Sequence, residues 1–178
     1  ASNLADSTYP DTPRIQNELV NHESISGNAV KARKLLMYQM LSRYGEEKLG
    51  FSGSSAEAGL FYSVIEPTHL YKLIGDKWLF ITKDEKDSST LNLQPIWDEA
   101  DNLLKASKQS VTLTEIYQKW QEPPIGVRKG LLPILALIYF LSKRQHLGLY
   151  IEKAFITDLT EAYLDEWMQD TDRVAFKY

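Results

Sequence analysis

The sequence predicts a mainly helical α+β chain with small β-hairpins. Apolar residues recur at three- and four-residue steps over several stretches, as amphipathic helices require. Ser/Thr/Asp-x-x-Glu patterns, which cap helix starts, precede three of them. Short β-prone runs sit on either side of tight-turn residues.

The chain has 178 residues, enough for one medium domain or two small ones with a real core. Hydrophobic residues at 43% and charged residues at 25% read as globular rather than disordered. "YPDTPRIQNELVN" opens with turn residues, and a short helix is expected over Ile15–Val20. In "SISGNAVKARKLLMYQMLSRYG", Ala29, Ala32, Leu35, Leu36, Met40 and Leu41 mark one helical face, with a stop near Tyr44 at Gly45. "KLGF" reads as a short strand. Ser54 with Glu57 predicts the next helix start, and Pro67 its end. "LYKLIGDKWLFI" reads as a hairpin about Gly75-Asp76, a pair suited to a type II′ turn. The polar run "TKDEKDSSTLNLQ" places a boundary between a subdomain at 1–90 and another at 91–178.

The second half repeats that order. Pro95 suits the first turn of a helix reaching about Ala106. A strand is expected at Val111–Leu113, and Thr112 with Glu115 predicts a capped helix that the paired prolines end. An apolar helix is expected from Arg128 to Arg144, with Pro133 tolerated near its start. A hairpin over 147–157, a helix Leu159–Gln169 opened by Asp158 with Glu161, and a strand in "VAFKY" complete the chain. Helix, short strand, helix, turn, helix, hairpin is the order of a winged helix. Residues 95–157 fit it, the first half follows it more loosely, and tandem winged-helix-like subdomains are expected.

Several functions lose support at this level. With no cysteine there is no disulfide, thiolate metal site or cysteine nucleophile. No stretch reaches the roughly 18 apolar residues of a membrane helix and no leader pattern opens the chain, so a cytoplasmic location is expected. The start at Ala1, without methionine, fits a segment cut from a longer protein. His22, His69 and His146 match no metal spacing. "GFSGSSAEAG" has glycines before a helix but not the lysine of a phosphate-binding loop, so it reads as a plain cap and no cofactor is expected. Asp98, Glu99 and Asp101 point different ways on one helix and read as a solvated face. No Gly-x-Ser-x-Gly elbow is present. Phe61, Tyr62, Trp78 and Phe80 have the spacing of core and hairpin pairs rather than of a base-stacking platform. Asn17, Glu18 and Asn21 flank Leu19-Val20 and suit backbone bonds across a subdomain contact.

"PPIGVRKGLLPILALIYFLSKR", residues 123–144, holds the helix that a DNA-binding domain would send into the groove. Such a helix needs a polar face, because bases and phosphates are read by hydrogen bonds and charge. Leu131–Leu141 carries no charge, and its only polar side-chain atom is the Tyr139 hydroxyl. A helix apolar all round is buried on several sides. Ile134, Leu135, Leu137, Ile138 and Leu141 are therefore expected in the core, covered by the other subdomain, by the last helix around Tyr163, Leu164 and Trp167, or by both. The net charge of −4 argues against a basic footprint. The candidate contacts for nucleic acid or a protein partner are Arg128, Lys129, Lys143 and Arg144 at the helix ends, and Lys153 on the wing.

An ordered set of short motifs runs along most of the chain: "NELVN" at 17–21, "AR" at 32–33, "LGFSG" at 49–53, "FYSVI" at 61–65, "WLF" at 78–80, "PPIGVRKGLLP" at 123–133 and "LYIEKAFITDL" at 149–159. Taken in this order they resemble a segment found inside very long bacterial P-loop ATPases, several of them in phage-defence systems of the BREX kind. Ile125 stands where that pattern has an aromatic, and Ser54 and Ser55 where it has prolines. The resemblance implies a non-catalytic interdomain or partner-binding module whose parent holds its ATP site elsewhere. Nucleic-acid binding through the wing and helix ends is the alternative.

Overall fold

The computed structural model describes residues 8–12 and 25–178, and the α+β expectation is met. The helix expected at Ile15–Val20, together with Asn17, Glu18, Asn21 and His22, lies outside the described residues.

Helix α1 spans Gly27–Ser42, and the Ser26 hydroxyl caps it by accepting from the Ala29 N–H at 3.1 Å. It buries Ala29, Ala32, Leu36, Met37 and Met40, while Leu35 faces out. The expected strand at "KLGF" is instead a tight turn over Glu47–Gly50. Lys48, Leu49 and Gly50 all take positive φ, which no strand accommodates. The Gln39 side chain donates to the Leu49 carbonyl at 2.9 Å and ties this turn to α1. Helix α2, Ala56–Leu60, starts one residue later than expected. Ser55, not Ser54, accepts from the Ala58 N–H. A wider helical turn over Phe61–Ile65 carries the chain toward Pro67. Strands β1 (Tyr71–Ile74) and β2 (Lys77–Phe80) pair antiparallel as predicted. Gly75 alone in the turn has positive φ (67°), as a type II′ turn demands of its first residue.

The second half begins with α3, Gln94–Ala106, with Pro95 in its first turn. Strand β3 (Val111–Thr112) runs into α4 (Leu113–Gln121), whose capping box is complete: Thr112 Oγ1 accepts from the Glu115 N–H, and the Glu115 carboxylate accepts from the Thr112 N–H. The Trp120 indole donates to the Ile96 carbonyl at 2.9 Å and locks α4 to α3. The paired prolines end α4. Residues 8–12 lie against this turn, the Asp11 N–H donating to the Pro124 carbonyl and the Thr12 hydroxyl to that of Ile125. Gly126 sits at φ 66° with the Tyr9 ring where a Cβ would stand, so only glycine fits.

Regular helix α5 covers Leu132–Ser142, shorter than the expected Arg128–Arg144, because Lys129–Leu131 form a tighter turn before Pro133. Strands β4 (Gly148–Ile151) and β5 (Ala154–Ile156) form the predicted hairpin. Helix α6, Glu161–Gln169, starts two residues later than expected. Thr160 holds its cap position without a side-chain bond, and Asp158 instead faces Arg144 at 3.7 Å. Strand β6 (Val174–Lys177) enters the sheet between β3 and β4, giving the order β3-β6-β4-β5 with every pair antiparallel.

Every residue from Leu132 to Leu141 is buried. Trp97 of α3 stacks on Tyr139, Phe176 of β6 on Phe140, and Trp167 of α6 meets Phe140 edge-on. Helix α1 and strand β2 of the first half also pack on α5, so the two predicted covering layers are both present. The buried residues form one connected cluster, from Ala29 to Phe176. Among the described residues, no helix is long and apolar enough to cross a membrane.

Candidate functional site

The five basic candidates do not converge. Arg128 and Lys129 are exposed at the start of α5, and Lys143 and Arg144 lie past its end. Eleven residues at about 1.5 Å each put roughly 16 Å between the two pairs. Lys143 is already engaged: its Nζ lies 3.1 Å from Asp101 Oδ2 and 5.8 Å from the Tyr139 ring centre. Arg144 faces Asp158. Lys153, in the left-handed turn of the β4–β5 hairpin, is exposed.

Asp101 also accepts from the Tyr139 hydroxyl at 2.5 Å. Burial, then this carboxylate, drives the Tyr139 pKa far above its ordinary value. Phenol, carboxylate and ammonium satisfy one another beside the dry helix. Asp101, expected on a solvated face, is thus a core-edge partner.

A second group, missed in the sequence, joins His69, Asp87 and Ser89. The His69 Nδ1 lies 2.8 Å from Asp87 Oδ2 and 2.9 Å from Ser89 Oγ, and Ser89 also donates directly to Asp87. A nucleophilic triad needs the carboxylate on one ring nitrogen and the serine on the other. Here both use Nδ1, and the serine proton is committed to the carboxylate. The Lys72 ammonium bridges Asp84 and Asp87 at 2.8 Å each. Lys72, Ser89 and His69 hold Asp87 below the usual carboxylate range. The group braces the loop after β2 rather than activating a nucleophile. Among the described residues, no three His, Asp or Glu side chains gather as a metal site.

The strongest candidate is an open groove of about 840 Å³ between α1, α4, the start of α5 and α6. Its apolar lining includes Ile25, Leu132, Pro133, Trp167 and Met168. Of the five buried polar side-chain atoms without a hydrogen-bond partner among the described residues, three belong to residues of this groove: Arg33 Nε, the Tyr117 hydroxyl and Trp167 Nε1. Arg33 Nη1 donates to the Gly130 carbonyl at 3.1 Å, and no carboxylate pairs with the guanidinium among the described residues. Burial lowers the Arg33 pKa, and burial pushes that of Tyr117 far up. Arg33 and the Trp167 indole stand near the Tyr117 phenol and oppose that rise only in part, without reaching hydrogen-bond geometry. Lys129 sits on the groove wall. Glu122 is the one acidic residue in the lining among the described residues, and its carboxylate lies 3.9 Å from Lys119.

Of the sequence candidates, only Lys129 belongs to this groove. Residues 33, 117 and 167 lie on three helices far apart in the chain, so no local pattern joins them. An aromatic or arginine inside an amphipathic helix reads as ordinary packing until the fold brings the polar atoms together. Comparison with protein-family models, curated proteins and solved structures yields no match to this chain.

Proposed function

We propose that this chain is a non-catalytic partner-binding module, an interdomain segment of a large bacterial ATPase of the phage-defence kind. The observation that carries the reading is the groove beside α5, where the buried Nε–H of a half-buried arginine and two further donors lack hydrogen-bond partners among the described residues, beside an apolar wall. Each buried polar group left unpaired costs about 1–3 kcal/mol, and a bound partner recovers that cost. The ordered motif set described above supports the parent assignment. The order of α3, β3, α4, α5 and the β4–β5 hairpin supports a winged-helix origin for the second half, to which β6 adds a strand inside the sheet. The first half offers α1, α2 and one hairpin toward the same plan. Two tests apply. The reading frame encoding this chain is expected to exceed a thousand residues, with a phosphate-binding loop outside this segment. Cross-linking of the parent protein is expected to join this segment to distant parts of the same polypeptide. A short frame and no such cross-links would remove the reading.

The alternative, nucleic-acid binding, keeps three exposed cations that make no ion pair among the described residues: Arg128, Lys129 and Lys153. Its reading helix has no face to offer a groove, since α5 is buried from Leu132 to Leu141. Duplex DNA titrated at low salt is expected to bind weakly. A tight complex with a steep salt slope would favour this alternative instead.

A further inference from the structure

We propose that the groove beside α5 selects its partner by charge and receives a carboxylate-bearing, partly apolar segment of a protein partner, with Arg33 as the counter-charge. This inference rests on the partner-binding reading above. The Arg33 guanidinium spends one Nη1 donor on the Gly130 carbonyl and holds its buried Nε–H unused. A guanidinium is always charged and presents a planar fork of donors that matches a carboxylate. Taking that charge out of water without a counter-ion is costly, and a carboxylate ligand offsets the cost. The Trp167 Nε1–H is turned toward the Tyr117 oxygen, and the Tyr117 hydroxyl still has its own proton to give, so the Arg33 Nε–H and the Tyr117 hydroxyl call for acceptors. Lys129 adds positive charge at the wall, against Glu122, which Lys119 partly balances.

The rest of the lining argues for a polypeptide. Ile25, Leu132, Pro133 and Met168 give an apolar wall that a side chain next to the carboxylate would cover. Pockets for small metabolites enclose 70–90% of the ligand, whereas this groove lies open. Nucleic acid is disfavoured, because its affinity comes from several neutralised phosphates. Two cations and one acid among the described lining residues, on a chain of net charge −4, do not supply that field.

The test uses the full chain, labelled with nitrogen-15, and two blocked six-residue probes: one alternating aspartate and leucine, the other lysine and leucine. The Trp167 indole and Arg33 Nε–H signals are expected to shift saturably with the acidic probe and not with the basic one. Arg33→Met is expected to weaken the acidic probe at least tenfold, and Arg144→Gln to leave it unchanged, with thermal melts showing both variants folded. Equal response to both probes, no saturation into the millimolar range, or an unchanged affinity in Arg33→Met would overturn the proposal. A twelve-nucleotide single strand that displaces the acidic probe would overturn the assignment to a protein segment. Failure here is separable from failure of the broader reading. Cross-links within the parent that map away from the groove would leave a partner module with a different surface. Probe binding without any such cross-links would leave the groove and remove the interdomain role.

Discussion

Helix α5 is flanked by two polar clusters built to opposite ends. At its last turn, Tyr139, Asp101 and Lys143 close on one another, and every charge has a partner within 3.1 Å. Near its first turn, Arg33, Tyr117 and Trp167 bring a charge and three buried donors to the side of a groove and leave them without hydrogen-bond partners among the described residues. Burial alone therefore does not separate a structural polar group from a recognising one. What separates them is whether the donors and acceptors balance without an outside molecule. A balanced cluster stabilises the fold by itself, and an unbalanced one holds free energy that only a partner releases.

The helix between the two clusters sets the largest effect. Leu135 and Leu137 are 0% exposed. Leu135→Ala or Leu137→Ala is expected to cost about 2–5 kcal/mol, the range for truncating a buried leucine. Thermal or urea unfolding reads it. A loss well below 1 kcal/mol would mean that α5 packs loosely and that neither cluster is anchored as described.

Next comes the closed cluster. Asp101→Ala strands both the Lys143 ammonium and the Tyr139 hydroxyl and is expected to cost roughly 2–3 kcal/mol, as for hydrogen bonds to charged groups. The open cluster is expected to behave differently. Tyr117→Phe removes a hydroxyl whose proton has no acceptor among the described residues and whose oxygen has only the loose Trp167 contact, so stability should hold or rise by up to about 1 kcal/mol. Urea midpoints of the two variants, measured side by side, would show the two clusters to be alike if Tyr117→Phe costs as much as Asp101→Ala.

The two clusters were unequally legible in the sequence. Periodicity and turn chemistry placed α1, α3, α4 and both hairpins, because those signals act within a few residues. The cap of α2 slipped from Ser54 to Ser55, since adjacent serines offer the same chemistry and packing chooses between them. The strand expected at Lys48–Phe51 failed because Lys48 and Leu49 are held left-handed, beside a Gln39 contact that no local pattern encodes. The last strand was readable, but not its place between β3 and β4, which is a long-range choice. Burial of α5 followed from its uninterrupted apolar run. The groove did not follow from anything local, because its three orphaned groups meet only once α1, α4 and α6 pack.

The half-buried bridge of Lys72 with Asp84 and Asp87, after the first hairpin, answers to pH. Asp84 and Asp87 have folded pKa values depressed below the ordinary carboxylate value by Lys72. Their contribution is fully present above about pH 4, the unfolded range, and is lost as pH falls through the folded values. Lys72 is shifted upward, so its share persists until strongly alkaline pH. The acid limb of a stability–pH curve should therefore flatten in Asp87→Asn, with the curve between pH 6 and 8 keeping its shape. An unchanged acid limb would show that the bridge does not form in solution.

The smallest effect separates two lysines that look alike in sequence, one beside each end of α5. On sequence grounds both are surface charges, and reversing either should matter little. The fold divides them. Lys143 has a side chain 20% exposed and serves the Asp101 carboxylate, so Lys143→Glu brings two carboxylates together and is expected to cost stability on the scale of the closed cluster. Lys129 is exposed and makes no ion pair among the described residues. Lys129→Glu should therefore stay within about 0.5 kcal/mol of the parent chain, as for a surface site away from special features. Its signature belongs in binding instead, because it reverses one of the two positive charges facing the groove. Parallel melts and acidic-probe titrations of Lys129→Glu and Lys143→Glu would show each variant failing in a different assay. If both lost only stability, the groove would be one more structural cluster, and the contrast between the two ends of α5 would collapse.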